Sequence, residues 1–530
     1  MAQKSLHMKG NIMRIYFIRK TWSKAHDCRA LFCALVVLQS GSAYADEAAI
    51  EAITRAAEVY GIDTISKLKQ LKVEESLYRY MQGQSGHVEE GSHSLVLHRY
   101  KQQLEINFAA KSKSFKRSDE NLIGNYGYHS LVTLDRRYLN GKGMKVDHCM
   151  QTYQPSTRMS WDSVAFNMEQ SVDTLIIKEL SDNRADVSSG GVTYIQGDVH
   201  TVLNWTINQV RKTAYIGSAS GLLSRLTTKE KGKMTRYDFL GHTHNNQGLT
   251  WASQTIVSQE HKPTLHVTER VVTQSTPTFP LVLKPDGYKL SDNDTFLEFA
   301  QESVNEVAKG VFLVGQGWGF TLFVDIGTSY ISAGSWQMPN DTFTWQQRLN
   351  KLDQHLGTHK PVSQFIVTHH HDDHLMGLNE VSTHGAKILL MAEHQKAVEA
   401  SLEQPLTPKN SAFLHDGMML ANNQVQVFDV PSSHADHNLV VYLPKQKVVF
   451  AEDMFGSSLE TGFHSPNSWP SRDVYYRAQV LNERLNELGI QAEHFVSSHH
   501  GRVLSKDEFK ALVNLSCPED SVLIKRLYVR

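Results

Sequence analysis

The segment that most constrains this chain is residues 365–374, which read Phe-Ile-Val-Thr-His-His-His-Asp-Asp-His. Its first three residues form an apolar run that is typical of a buried strand. Alternate residues of an extended segment point the same way, so His369 and His371 can bind one metal ion. Asp373 and His374 follow the turn of the chain and can face a second ion. Imidazole and carboxylate ligands suit zinc, so the segment predicts a zinc centre at a strand end.

A histidine-rich surface loop that binds metal adventitiously is the alternative for this segment. The chain has 27 histidines, so an isolated histidine means little and only a cluster is informative. None of the four cysteines forms a CxxC pair, which argues against a thiolate zinc site or a redox motif. The formal net charge is −1 over 530 residues, which gives no electrostatic reason to expect nucleic acid or an anionic membrane surface as a partner. We therefore expect a small-molecule substrate.

The N-terminus has the pattern of an export signal. Residues 1–29 are strongly basic, an apolar run spans residues 30–38, and an Ala-x-Ala pattern follows at residues 43–45. The apolar run is too short to span a bilayer comfortably. We therefore predict a signal peptide at residues 1–45 and a periplasmic or secreted mature protein without a transmembrane domain. An uncleaved anchor is the alternative.

The rest of the chain divides into two predicted domains. Residues 46–290 begin with a helical segment and continue as alternating strands, which predicts a β-rich α+β domain of unknown role. Residues 300–515 alternate strands and helices, which is typical of an α/β domain, and residues 516–530 are interpreted as a C-terminal tail. Cys149 and Cys517 lie in different regions, so the sequence leaves open whether they pair.

The histidine cluster and the motifs after it resemble the metallo-β-lactamase superfamily over about residues 300–515. The residues that match the family's metal ligands are His369, His371, Asp373, His374, His434, Asp453 and His500. His434 stands in the second histidine motif, Asp453 follows an apolar strand, and His500 precedes a glycine. Asp325 matches the aspartate of the family's first hairpin, which supports the site without binding metal. The resemblance implies an α/β fold, an αβ/βα sandwich, preceded here by a separate β-rich domain.

The resemblance also implies two zinc ions per chain. One zinc is expected on the first two motif histidines and His434. The other is expected on Asp373, His374 and His500. Asp453 would bridge the two, and Asp373 is also expected to orient the water. A hydroxide that bridges two zinc ions forms near neutral pH and can attack an acyl or phosphoryl group. Histidine rather than glutamate at the second motif position favours zinc over a di-iron redox centre.

These inferences predict an exported dizinc hydrolase that cleaves an ester, thioester, lactone or related acyl bond. A zinc β-lactamase is the first alternative, because export suits that activity. Asp453 argues against it, since zinc β-lactamases commonly have Cys or Ser at that position. The alternative of another class is a periplasmic ligand-binding or trafficking protein, whose β-rich domain carries an apolar ligand and whose metal domain is degenerate.

Residues beside the expected ligands are not expected to bind metal. His437 and His499 are expected to be solvated or to lie behind the ligands. Glu452 is expected to point to the opposite face of its strand from Asp453. His464 lies in a polar, aromatic loop and is a candidate substrate contact, with a surface loop as an equal alternative.

Overall fold

A computed structural model describes the chain from residue 46 onward, with short gaps. The described residues are 46–62, 70–123, 131–166, 168–246, 248–274, 281–291, 301–317, 319–455, 471–499, 501–514 and 518–528. The signal peptide predicted for residues 1–45 lies outside them, and so do His464, His500 and Cys517. Within these ranges, no helix has both the length and the apolar character needed to cross a membrane.

The first half of the chain forms one large sheet, because its segments alternate apolar and polar side chains. Its strands are β1 (Gln70–Gln84), β2 (His93–Asn107), β3 (Ser112–Ile123), β4 (Leu131–Leu139), β5 (Lys142–Asp147), β6 (Thr152–Ser156), β7 (Ser188–Ile195), β8 (Asp198–Ile207), β9 (Val210–Gly217), β10 (Leu223–Glu230), β11 (Lys233–His244), β12 (Thr250–Gln259), β13 (Lys262–Gln274) and β14 (Lys289–Leu290). Their order is β14-β6-β5-β4-β3-β2-β1-β13-β12-β11-β10-β9-β8-β7. Neighbours are antiparallel except for the short β14–β6 pair, so this N-terminal sheet has the β-rich character predicted for it.

Two helices, Glu47–Val59 and Asp173–Asp182, cover the apolar face of the N-terminal sheet. The Asp46 side chain accepts a hydrogen bond from the first turn of the first helix and caps it. Tyr60, which ends that helix, donates to the Asp173 carboxylate at 2.8 Å. The apolar faces of both helices share one buried core with the strands beneath them.

The second half of the chain forms two smaller sheets. The strands of the first are β15 (Ser303–Ala308), β16 (Val311–Gln316), β17 (Gly319–Asp325), β18 (Tyr330–Ala333), β19 (Val362–Ile366), β20 (Lys387–Met391) and β21 (Ser411–Leu414). They lie in sequence order, antiparallel from β15 to β18 and parallel from β18 to β21. The strands of the second are β22 (Met419–Leu420), β23 (Val425–Asp429), β24 (Leu439–Leu443), β25 (Val448–Phe450), β26 (His494–Val496) and β27 (Leu504–Ser505). They also lie in sequence order, with only the β25–β26 pair parallel.

The two smaller sheets pack face to face, with helices on the outer side of each. Ile331 and Ile366 of the first sheet share a buried cluster with Val427, Val441 and Phe450 of the second. The helices are Trp345–Leu356, Asp372–Leu375, Leu378–His384, Gln395–Ser401, Ser471–Glu487 and Lys506–Val513. Most of them pack on the outer face of one sheet or the other. This is the α/β sandwich expected for this half, and β19 lies inside its sheet as predicted.

The C-terminal segment is a helix rather than a tail over residues Asp520–Tyr528. It packs against β3 and β4 of the N-terminal sheet. Tyr528 Oη donates to the Lys101 carbonyl oxygen at 2.6 Å and accepts from the Ser118 amide at 3.0 Å. The chain therefore returns to its first half after completing the second.

The described residues from Asp46 onward belong to one compact unit. The β-rich region predicted for residues 46–290 is present as the N-terminal sheet, and it belongs to the same unit as the sandwich. Cys149 is disulfide-bonded, and its partner lies outside the described residues.

Candidate metal centre

The histidine segment lies where strands of both smaller sheets end. It follows β19, and the Thr368 carbonyl oxygen accepts from the Leu439 amide at 2.7 Å, which joins the segment to the start of β24. The loop before β24 carries His434, and Asp453 follows β25. Residues that are far apart in sequence therefore meet at one edge of the sandwich.

His369, His371 and His434 form a buried cluster of three imidazoles. His434 Nε2 lies 3.0 Å from His371 Nδ1 and 3.2 Å from His369 Nε2. Zinc–nitrogen bonds of about 2.0–2.1 Å in a tetrahedral arrangement place the ligand nitrogens roughly 3.3 Å apart, so this spacing fits one zinc ion. Three ring nitrogens that converge on one point cannot all be satisfied by one another. The donor set therefore suits a cation.

Hydrogen bonds on the far side of the rings fix which nitrogen faces the cluster. His371 Nε2 lies 2.7 Å from the Ser85 carbonyl oxygen, which can only accept, so Nε2 carries the proton and Nδ1 presents its lone pair. His374 Nδ1 lies 2.8 Å from Glu452 Oε1, which leaves His374 Nε2 free in the same way. Such outer partners orient metal ligands in proteins.

Asp453 joins this cluster to a second group of donors, His369, His374 and Asp453 itself. Its Oδ2 lies 3.1 Å from His434 Nε2 and 3.2 Å from His374 Nε2. Its Oδ1 lies 3.0 Å from His499 Nε2. One carboxylate thus contacts members of both groups, which is the arrangement that a bridging ligand requires.

The histidine beside Asp453 is His499, whereas the sequence prediction chose His500. His500 lies outside the described residues. The His499 ring lies 5.5 Å from the His374 ring, centroid to centroid, and makes an edge contact with Trp336. His499 therefore contacts a predicted ligand, and the assignment of the metal ligand to His500 stays a prediction.

Burial sets the protonation of the cluster. Burial, together with His374 and His434, holds the pKa of His369 well below its usual range. Burial and His434 do the same to the pKa of His371. Burial opposes ionisation of Asp453, but the surrounding imidazoles, His374 first, hold the pKa of its carboxyl well below its usual range. Neutral imidazoles beside an ionised carboxylate are the forms that bind metal.

Glu452 is buried beside the ligands, so the prediction that it points to the opposite face is wrong. Its Oε2 lies 3.5 Å from His369 Nδ1, in addition to the contact of Oε1 with His374. The strand ends two residues before Glu452, so the alternation of a strand no longer applies there. Burial opposes protonation of His374, but Asp453, Glu452 and Asp373 hold the pKa of its ring well above the usual range. This corner of the site therefore attracts positive charge.

The Asp373 carboxylate accepts two hydrogen bonds from residues that belong to neither group of potential metal ligands. Gln84 Nε2 donates to its Oδ1 at 2.9 Å, and Trp336 Nε1 donates to its Oδ2 at 3.0 Å. Asp373 Oδ1 lies 3.9 Å from His374 Nε2, and Asp373 belongs to neither close group of donors within the described part of the chain. Its role as a zinc ligand stays a prediction.

The connection between β1 and β2, residues 84–92, reaches the site from the N-terminal sheet; we call it the site hairpin. The Ser85 carbonyl oxygen lies 2.9 Å from His370 Nε2, as well as accepting from His371. Ser92 Oγ donates to the His370 carbonyl oxygen at 2.8 Å, and the Asp436 amide donates to the Gly86 carbonyl oxygen at 2.9 Å. No sequence signal marks these residues, because the hairpin is far from its partners in sequence and several of the contacts use its backbone carbonyl oxygens.

Asp325 does not support the site, which corrects the interpretation drawn from the family resemblance. Its Oδ2 accepts from Lys360 Nζ at 2.7 Å. The pairing of β17, β18 and β19 aligns it with Val362, at the opposite end of β19 from the histidines. His437 lies apart from the donor groups, as expected, and its Nδ1 is 2.7 Å from Asp429 Oδ2.

Comparisons with known proteins find structural likeness only. No family model and no curated protein match the chain. Solved metallo-β-lactamases resemble it over about two fifths of its length. One from Pontibacter korlensis is 21% identical, with 41% of this chain and 98% of that chain covered and a TM-score of 0.32. One from Hirschia baltica is 16% identical, with 41% and 99% covered and a TM-score of 0.32. A flavodiiron core from Synechocystis is 14% identical, with 40% and 61% covered and a TM-score of 0.31.

Proposed function

We propose that the mature chain is an exported zinc-dependent hydrolase that cleaves an ester, thioester, lactone or related acyl bond. The observation that carries this proposal is the pair of donor groups that share Asp453. Their nitrogens and oxygens converge in a buried pocket, and outer partners already hold the rings in ligand orientation. A histidine-rich surface loop would be exposed and would lack such partners.

The proposed ligands follow from the two groups. One zinc is assigned to the three-imidazole cluster, and three protein ligands leave a position open for water. The other is assigned to Asp373, His374 and His499, with Asp453 shared. We propose His499 as a ligand of this ion because its ring contacts Asp453, while His500, the residue chosen from the sequence, lies outside the described residues.

Zinc held by these residues would lower the pKa of a water molecule and polarise the oxygen of an acyl group. The residues of the chain orient the ligands around it. Glu452 and the Ser85 carbonyl oxygen fix the tautomers of His374 and His371. Gln84 and Trp336 together hold the plane of the Asp373 carboxylate.

Export is the second part of the proposal. It rests on the basic stretch, apolar run and Ala-x-Ala pattern of residues 1–45. The disulfide at Cys149 supports it, since disulfides persist in oxidising compartments. Mass spectrometry of the protein recovered from a bacterial periplasm should find an N-terminus at Asp46. An intact N-terminus in the cytosolic fraction would reject export.

The hydrolase proposal is tested by metal-dependent turnover. The purified mature chain is assayed on a thioester, an aryl ester, a lactone and a β-lactam, before and after chelation, and again after zinc is restored. Turnover of an ester, thioester or lactone that follows zinc is the expected result. Turnover of the β-lactam alone would favour the zinc β-lactamase alternative. Neither bound zinc nor turnover would favour the ligand-binding alternative, whose metal domain is degenerate.

The choice between neighbouring histidines has its own test. His499→Ala should lose one zinc ion per chain by elemental analysis and most of the turnover. His500→Ala is the matched control and should keep both ions. The reverse outcome would restore the original assignment of His500.

A further inference from the structure

The N-terminal sheet carries a cavity of about 680 Å³ that the metal centre does not use. It is lined by β1, β2, β3, β11, β12, β13 and the segment 165–171, and by none of the zinc ligands proposed above. This volume is in the range of sites that enclose a small molecule.

Part of the cavity wall is apolar. Phe115, Ala165 and Met168 are buried and line it on one side. Val257 and Leu265 line it from β12 and β13. Such a wall excludes water from an alkyl chain, which favours burial of the chain in the cavity.

A group of cations lies on the same face of the sheet. Arg117 follows Phe115 by two residues, so both side chains point the same way. Strand pairing places Arg136 opposite Phe115, and Lys145 opposite Arg136. Phe166 lies beside both guanidinium groups, with its ring centroid 4.3 Å from Arg136 Cζ and 5.8 Å from Arg117 Cζ.

Two of these cations lack a carboxylate partner in the described part of the chain, and the third, Arg117, has only a distant one. Within the described ranges, neither Arg136 nor Lys145 has a carboxylate oxygen within 4.0 Å. The nearest acid to Arg117 is Asp119, at 4.0 Å, and Asp119 is already bound by His98 at 2.7 Å. Arg117 Nε and Arg136 Nε are buried and have no hydrogen-bond partner among the described residues.

The repulsion among these cations contributes to lowering their pKa values. Burial, and then Arg117, lower the pKa of Arg136. Burial, and then Arg136, lower the pKa of Lys145. Like charges that are held together in a partly buried wall are relieved by an anion that binds between them. A guanidinium group presents a planar fork of donors that matches a carboxylate.

We propose that this cavity binds an amphiphilic carboxylate, a single alkyl chain that ends in a carboxylate group. The alkyl chain lies along Phe115, Met168 and Leu265. The carboxylate lies against the guanidinium group of Arg117, which lines the cavity, and Arg136 on the neighbouring strand adds positive charge from beside Phe166. The site is independent of the proposed hydrolysis, because binding is measured without turnover and the cavity shares no residue with the donor groups.

The test is calorimetric titration of the full mature chain with dodecanoate below its critical micelle concentration. Dodecanol has the same chain without the charge, and butanoate has the charge without the chain. Dodecanoate should bind at least 10-fold more tightly than dodecanol, and butanoate should not bind measurably. Equal affinities for dodecanoate and dodecanol, or no binding of dodecanoate, would overturn the proposal.

Variants locate the binding. Arg117→Gln combined with Arg136→Gln should weaken dodecanoate at least 10-fold and leave dodecanol unchanged. Arg211→Gln is the matched control, because Arg211 is exposed on another strand of the same sheet. If the double glutamine variant does not fold, the double lysine variant keeps the charge without the fork and should bind dodecanoate with intermediate affinity. Unchanged dodecanoate affinity in the folded variant would place binding elsewhere and reject the site.

Discussion

The metal centre and the core of the N-terminal sheet both bury polar groups, but they satisfy them differently. In the N-terminal sheet, Arg270 is fully buried and its Nε donates to Glu75 at 2.7 Å. Its other nitrogens donate to the carbonyl oxygens of Ala252 and Ser171. In the sandwich, the buried histidines point at one another around a common centre. The contrast separates two roles of buried polar groups. A group that is paired within the chain stabilises the fold, whereas imidazole nitrogens that converge on one another form a site for a ligand.

The largest expected effect is loss of the three-imidazole cluster. His434→Ala should lower kcat/KM by about 1000-fold, equivalent to about 4 kcal/mol, because the first zinc loses one of three ligands. Elemental analysis and steady-state kinetics measure both consequences. His437→Ala is the control and should keep metal and turnover, since His437 is bound to Asp429 away from the cluster. Metal loss in the control alone would reverse the two assignments.

Breaking the buried Arg270–Glu75 ion pair should change the free energy of unfolding rather than the metal content. Arg270→Ala leaves Glu75 buried without its partner and should lower the free energy of unfolding by about 3 kcal/mol. Urea unfolding of the variant measures this. Arg99→Ala breaks the exposed pair with Glu120 and should cost less than about 1 kcal/mol. Similar costs for the two variants would contradict the role assigned to burial.

The N-terminal sheet should also differ from the metal centre in how its stability depends on pH. Burial raises the pKa of Asp147 to about 6. The folded state therefore binds its proton more readily than the unfolded state, so this group makes folding more favourable as pH falls from about 6 toward 4. Asp147→Asn should be more stable than the parent by about 3 kcal/mol at pH 7.5, and the difference should vanish below about pH 3.5. A difference that is constant across this range would contradict the assignment.

The smallest expected effect concerns the contact between the two regions. Gln84→Leu removes the amide that donates to Asp373 and should lower turnover or affinity for the second zinc by about 10-fold. Competition with a chromogenic chelator measures the affinity. Gln254→Leu, on an exposed position of β12, is the matched control. Equal affinities in both variants would show that the site hairpin does not orient Asp373.

The sequence predicted the sandwich and most of its donors because strand ends and ligands occur there in compact motifs. The choice between His499 and His500 stays a prediction, because His500 lies outside the described residues. The sequence did not predict Glu452, which follows the end of its strand. The contribution of Ser85 is a backbone carbonyl, and the cations around Phe115 are brought together by strand pairing. Neither leaves a local pattern that spacing could reveal.

The central claim is that Asp453 joins two zinc sites, and zinc stoichiometry tests it most directly. The mature chain and Asp453→Ala are loaded with zinc, dialysed against metal-free buffer and analysed for zinc and protein. The parent should hold two zinc ions per chain, and Asp453→Ala no more than one, because removing the shared carboxylate leaves two cations close together without a negative charge between them. Two zinc ions retained in Asp453→Ala, or none in the parent, would contradict the account.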